Sequence, residues 1–173
     1  MLIRLATHAD GDALWRIIEP TVRAGETWAL PTDWTRDQAL AFWLAPGHEV
    51  HAAERHGELV GTSFLRRAQL GPGDHVGNAG YMVRPDAWGG GVASALCRHS
   101  IRRAAERGFR AIQFNFVVST NVRAVELWTR MGFSVIGRSP GAYRHPTLGF
   151  VDSLIMHRPV RDQDRAIEDA RST

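Results

Sequence analysis

Residues 81–96, YMVRPDAWGGGVASAL, set three consecutive glycines between an apolar run closed by a proline and a stretch with helical spacing. Proline cannot continue a strand ladder, so a strand predicted from Gly77 to Val83 has to end at Arg84-Pro85-Asp86. Gly89, Gly90 and Gly91 can adopt positive φ and let a ligand approach the main chain closely. The helix predicted from Gly89 to Gly108 would aim its first unpaired N–H groups, and the positive end of its dipole, at the same spot. Strand, glycine turn and helix in that order make an anion site suited to a pyrophosphate. The glycines alone leave a plain flexible loop as the alternative. A Walker phosphate loop is excluded, because no Lys-Ser/Thr pair follows. A dinucleotide fingerprint fits poorly, since the strand lies mid-chain and no strand-end acid stands at the expected offset.

The rest of the chain reads as a scaffold for this turn. Apolar residues at Leu14, Ile17, Ile18 and Val22 predict a helix over Gly11 to Arg23, and Thr35 caps a second that ends at Pro46-Gly47. Further strands are predicted at Leu2 to Leu5, His48 to Glu54, Glu58 to Arg67, Ala111 to Val118, Ser134 to Arg138 and Phe150 to His157. In Ala111 to Val118 the alternation puts Ile112, Phe114 and Phe116 on one face, and Gln113, Asn115 and Val117 on the other. Ser119-Thr120-Asn121 caps a helix through Met131, stopped by Gly132. The order β-α-α-β-β-β-α-β-α-β-β describes a mixed sheet with helices on it. A chain of 173 residues is sized for one domain. We place that domain at residues 1–160, with a tail at 161–173 too polar to bury.

Two segments carry a resemblance. Trp88-Gly89-Gly90-Gly91-Val92-Ala93 resembles the Q/R-x-x-G-x-G/A motif of the GCN5-related N-acetyltransferases (GNAT), and Asn121 to Phe133, NVRAVELWTRMGF, resembles that family's N-x-x-A-x-x-L-Y-x-x-x-G-F segment. Both stand in the family's order, a helix and a strand apart. The resemblance implies an α/β (α+β) GNAT fold, with about seven strands in a mixed central sheet, about four flanking helices and a splay between the middle strands. It implies acetyl-CoA as co-substrate and N-acetyl transfer as the activity. Main-chain groups of Met82 and Val83 would then bind the pantetheine arm, and the turn from Trp88 through Gly89, Gly90, Gly91, Val92 and Ala93 would hold the pyrophosphate. Asn121, Ala124 and Trp128 would meet the cofactor from the other side. Trp88 replaces the usual Arg or Gln, a loss that Arg98 or Arg102 is positioned in sequence to offset.

Trp128 stands where many members carry a tyrosine that protonates the departing thiolate. Indole donates a hydrogen bond but is no proton donor near neutral pH, so Trp128 either packs the cofactor arm or is simply core. The segments HVGNAGYMV, FNFVVSTN and GFVDSLIMHR resemble a narrower branch, the one with L-azetidine-2-carboxylate N-acetyltransferase. That branch lacks the tyrosine and uses asparagines to orient the amine and polarise the thioester. The matching catalytic candidates are Asn78, Asn115 and Asn121, unless each only satisfies splayed backbone. The loop between the first two helices would shape the acceptor pocket with Glu26, Trp28 and Trp34, although such tryptophans can equally cover core. The acceptor would be a small-molecule amine, an amino or imino acid or analogue. A non-catalytic acyl-CoA-binding module and a protein N-terminal acetyltransferase are the other readings.

Other classes find little support. A net charge of +3 from scattered arginines makes no concentrated basic face for nucleic acid. His48 and His51 would point to opposite faces of a strand, so no metal site is expected, and His75 reads as a turn residue or a base. The single Cys97, on an apolar helical stripe, suits a reducing compartment, and no run reaches membrane-spanning length. With no secretory signal evident in MLIRLATHAD, a cytoplasmic protein is expected, one whose fold admits a homodimer.

Overall fold

The computed structural model describes residues 1–166. Among them, β1 (Leu2–Leu5), β2 (Glu49–Arg55), β3 (Glu58–Arg67), β4 (Val76–Val83), β5 (Ala111–Val118), β6 (Ser134–His145) and β7 (Gly149–Pro159) form one sheet in the order β1-β2-β3-β4-β5-β7-β6. Every neighbouring pair is antiparallel except β4–β5, which is parallel and pairs only at Val76–Ala111 and Gly77–Ile112. Four α-helices cover the sheet: α1 (Gly11–Ala24), α2 (Arg36–Trp43), α3 (Val92–Glu106) and α4 (Val122–Arg130). The expected mixed sheet, its helices and the splay between its middle strands are all present.

Two cores hold the layers. Leu14, Ile17, Ile18 and Val22 of α1 and Trp43 of α2 bury against Val50, Phe64 and Met82 on one face. Cys97, Ile101 and Ala104 of α3 and Trp128 of α4 bury against Leu65, Ile112, Phe114 and Met156 on the other. One set of polar groups caught inside is paired in series. The Trp43 indole N–H donates to Thr62 Oγ1 (3.0 Å), and that hydroxyl donates to the His51 carbonyl (2.9 Å). A Cβ at Gly61 would lie 2.6 Å from Val92 Cγ1, so a strand glycine is what lets α3 approach the sheet.

Three local expectations change. The last two strands are longer than predicted, because they form one extended hairpin whose length the polar alternation of exposed β6 hides. The α3 helix begins at Val92, since Gly89 and Gly91 sit at φ of +77° and +76°, outside helical space. The alternation of β5 fails at a bulge, where Phe114 faces Met156 but Val117 faces Leu154. The extra residue leaves Asn115 and Phe116 both exposed, so Phe116 does not share the buried face of Ile112 and Phe114.

The tail expected at 161–173 is partly anchored. A short 3-10 turn at Asp162–Ala166 buries Asp164, which is 2% exposed. Its carboxylate accepts both arms of the Arg158 guanidinium at 2.8 Å and the Arg161 N–H at 2.8 Å, while Arg158 Nε donates to the Met131 carbonyl at the end of α4. Residues 167–173 of that tail lie outside the described residues. Burial opposes ionisation of Asp164, but the Arg158 fork and the Arg161 N–H outweigh it and hold the carboxyl below its usual range. A depressed folded-state pKa contributes stability that is present above the unfolded value and lost as pH falls through the folded one. Asp164→Asn should therefore lower unfolding stability at pH 7 by about 3 kcal/mol in urea titrations, and that difference should close as pH drops below about 4.

Candidate active site

Beyond Gly77 the strands β4 and β5 part, and a cleft of about 760 Å³ opens between them. The Arg84 N–H donates to the Val60 carbonyl at 2.9 Å. Alternation along an antiparallel ladder then turns the main-chain groups of Met82 toward β3, and those of Tyr81 and Val83 toward the cleft. Of the two residues expected to offer main-chain groups, Val83 does so. Met82 lines the cleft but has its backbone turned to β3 and its side chain buried in the α1–α2 core. Tyr81 is the residue that sequence reasoning passed over.

The glycine turn closes one end of the cleft. A Cβ added to Gly89 or Gly91 would meet nothing within 4 Å, so their positive φ answers backbone shape, with open space in front. Gly90 is held from behind, where Arg55 donates to its carbonyl at 2.7 Å. No side chain caps α3, which leaves the N–H groups of its first turn directed outward. Trp88 is 56% exposed, and its indole N–H donates to the Val83 carbonyl at 2.9 Å. The arginine beside it is Arg123, whose guanidinium lies 5.5 Å over the Trp88 ring. Neither Arg98 nor Arg102 lines the cleft, and Arg102 instead bonds His99 and Glu106. Arg55 and Arg123 were not singled out from sequence; a basic residue two after the Asn121 cap was the available signal.

The three asparagines all line the cleft but have different bonds. Asn78 spans the parted strands, its amide donating to the Gln113 carbonyl at 2.9 Å while its oxygen accepts from Arg66 Nε at 3.2 Å. Asn121 caps α4 by accepting from the Ala124 N–H at 3.3 Å, so the positions of both residues in the second motif follow from the cap. Asn115 is exposed in the cleft, accepting from Gln113 Nε2 at 2.8 Å. Trp128 is 8% exposed, packed at 4.9 Å against the Tyr81 ring and at 5.2 Å against Phe114. It wedges the splay open from beneath while presenting one edge to the cleft.

Aromatic residues wall the other end. Trp28 packs against Trp43 and Phe64 at 5.4 and 6.3 Å and lies over Gly80, where a Cβ would sit 2.5 Å from its ring. Tyr143 donates its hydroxyl to the carbonyls of Gly25 (2.5 Å) and Trp28 (3.1 Å), tying the α1–α2 loop to β6. Burial, and then the nearby Glu26, push the Tyr143 hydroxyl above its ordinary pKa. Of the expected pocket residues only Trp28 lines the cleft. Trp34 packs on Phe42 at 5.6 Å and covers core, and Glu26 lies toward Tyr143.

Elsewhere, His75 is exposed and bonds the Pro72 carbonyl, away from the cleft. His48 precedes β2 and stacks on Phe64, while His51 is buried on β2 with its ring 4.3 Å from that of His99. Burial, then the neighbouring His99, lower His51 to about 4, so it is neutral. No group of three or more metal-ligating side chains occurs among the described residues, and none of their helices is long and apolar enough to cross a membrane. Cys97 is buried, which pushes its thiol up to about 12.

The sequence model of the acetyltransferase (GNAT) family matches residues 12–133. A GCN5-related N-acetyltransferase from Kribbella flavida is 41% identical with a TM-score of 0.87, over 91% of this chain and 96% of that one. An N-acetyltransferase of Schizosaccharomyces pombe is 25% identical over 78% of this chain and 72% of its own. A protein of Salmonella typhimurium solved with its cofactor acetyl-CoA shares the fold, with a TM-score of 0.81 at 22% identity over 100% of this chain and 98% of that one. The strained turn supplies a test independent of any acceptor. An L side chain at positive φ costs about 1–2 kcal/mol. Gly91→Ala should thus lower the melting temperature by roughly 2–8 °C, and weaken coenzyme A binding in calorimetry.

Proposed function

We propose that this chain, which belongs to the acetyltransferase (GNAT) family, moves the acetyl group of acetyl-CoA to the amine of a small molecule, an amino or imino acid or a close analogue. The observation that carries the reading is the shape of one continuous cleft. It has an open glycine turn and helix N-terminus at one end, and an aromatic wall pinned by Tyr143 at the other. The first end fits a pyrophosphate without any side-chain charge, and Arg123 adds one. The second end is walled by Trp28, Phe42, Phe64 and Phe116, which suits a compact acceptor better than a peptide terminus.

The chemistry needs an unprotonated amine held against the thioester carbonyl, with a donor for the oxygen that gains charge. As the C–N bond forms the C–S bond breaks, and the proton the amine gives up balances the one the thiolate takes. The cleft-facing N–H groups of Tyr81 and Val83 are the donors, and the exposed Asn115 amide directs the amine. Asn121 contributes by fixing the start of α4, and Asn78 by bridging the parted strands. Trp128 packs beside the cofactor arm and gives up no proton. We place the activity in the cytoplasm, where a lone buried thiol such as Cys97 stays reduced.

A panel of amino acids, imino acids and their analogues, followed by thiol release from acetyl-CoA, tests the proposal. Turnover of at least one is expected; coenzyme A binding without turnover of any would instead identify a binding module. Asn115→Ala should lower kcat roughly 10²-fold while the KM for acetyl-CoA stays within about twofold. With its thiol at about 12 and buried, Cys97 should not react with Ellman's reagent in the native protein at pH 8, and should react once the chain is unfolded.

A further inference from the structure

From α1 through β4, Arg66 is the one charged side chain that lines the cleft among the described residues. Apart from Asn78, the cleft lining around this end is rich in rings, those of Trp28, Phe42 and Phe64, which offer a cation no charge. Other arginines of these strands and of the cleft have acids: Arg67 meets Asp74 at 3.7 Å, Arg84 meets Glu58 at 3.0 Å, and Arg130 at the far wall meets Glu126 at 3.9 Å. Arg66 has no carboxylate partner among the described residues. Its only hydrogen bond there runs from Nε to Asn78 Oδ1, at 3.2 Å. Asn78 is itself fixed by its bond to the Gln113 carbonyl, at 2.9 Å. The guanidinium is therefore oriented through Nε, and its two terminal nitrogens remain for a ligand. Phe64, two residues earlier on the same face of β3, carries the packed rings of Trp28 and His48. Burial, and Arg66 itself, lower the pKa of His48, which favours its neutral form.

We infer that Arg66 anchors the carboxylate of the acceptor, so that the enzyme selects amines carrying an acid group and discriminates against the same amines as carboxamides. A planar fork with two free N–H edges matches a carboxylate in a bidentate pair, which no other side chain of this wall can offer. Asn78 is the positioning residue behind it. This inference rests on the small-amine reading above and adds the group by which the acceptor is recognised.

The experiment compares the best amino-acid acceptor of the panel with its own primary amide. The amide's amine is the less basic, so more of it is unprotonated at neutral pH, and a preference for the acid has to come from recognition. The wild-type protein should favour the acid in kcat/KM by tenfold or more, on the order of what one charge-assisted pair supplies. Arg66→Gln should raise the KM for the acid roughly 10- to 100-fold and collapse the acid-to-amide ratio, with the KM for acetyl-CoA little changed. Arg66→Lys, which keeps the charge without the fork, should fall between. On the wild-type protein, the N-acetylated acid should compete with the amine acceptor and the N-acetylated amide should not, a result independent of how the variants fold. Equal turnover of acid and amide, or an equal loss of both in Arg66→Gln, overturns the role of Arg66 and leaves the acetyltransferase reading intact. No turnover of any amine overturns both.

Discussion

The parting of β4 from β5 after two paired residues is the constraint on which the rest of the site depends. A parallel pair that stays zipped satisfies its main chain internally; one that opens leaves donors and acceptors without partners inside the sheet. Each such group costs about 1–3 kcal/mol if it is left buried and unmet. The chain meets them with side chains brought from elsewhere. The Trp88 indole takes the Val83 carbonyl, and the Asn78 amide takes the Gln113 carbonyl across the gap. The Trp128, Tyr81 and Phe114 rings fill the space beneath, and the bulge in β5 turns Asn115 and Phe116 into the opening. The cleft-facing N–H groups of Tyr81 and Val83 are those the proposed reaction would use.

The two ends of the cleft are held in contrasting ways. At the glycine turn the main chain is the proposed binding surface; it is bare in front and supported behind, and Arg55 supplies that support through the Gly90 carbonyl. At the aromatic end the surface is made of side chains on the loop that follows α1, which alone would be mobile. Tyr143 fixes that loop by donating to two of its carbonyls from β6, far along the sequence. Gly80 completes the fit, since any side chain there would collide with Trp28. The wall is thus a joint product of α1, β4 and β6, and none of the three could shape it alone.

That division explains what could be read in advance. Punctuation is local, so Pro85, the Asn121 cap, Gly132 and the glycine turn marked where the elements begin and end. The β5 bulge was hidden because IQFNF alternates cleanly, and only pairing with β7 shows the extra residue. Trp28 and Trp34 share one loop, and nothing nearby distinguishes the residue over Gly80 from the residue over Phe42. The arginines were the least readable. Whether Arg66, Arg123 or Arg55 is free to act depends on whether an acid reaches it in space, and that is a property of the assembled sheet. Asp164 teaches the same lesson in reverse, since a residue in a polar tail is buried because Arg158 waits for it.

Two tryptophans stand where the family has polar residues, and they have different consequences. The indole at Trp88 keeps a donor, spends it on Val83, and supports Arg123 across its ring, so positive charge near the turn moves from that turn to α4. At Trp128 nothing substitutes for the lost acid. The Tyr81 hydroxyl lies fully buried and pushed well above its ordinary range by that burial, and the Tyr143 hydroxyl is turned toward two carbonyls. Glu126 is the one carboxyl lining the cleft among the described residues, and it lies toward Arg130 on α4. On the proposed reaction, the proton that reaches the departing thiolate must then come from the attacking amine itself, directly or through water. A donor that strong arises only after the C–N bond begins to form, so holding the amine in line matters more here than supplying an acid.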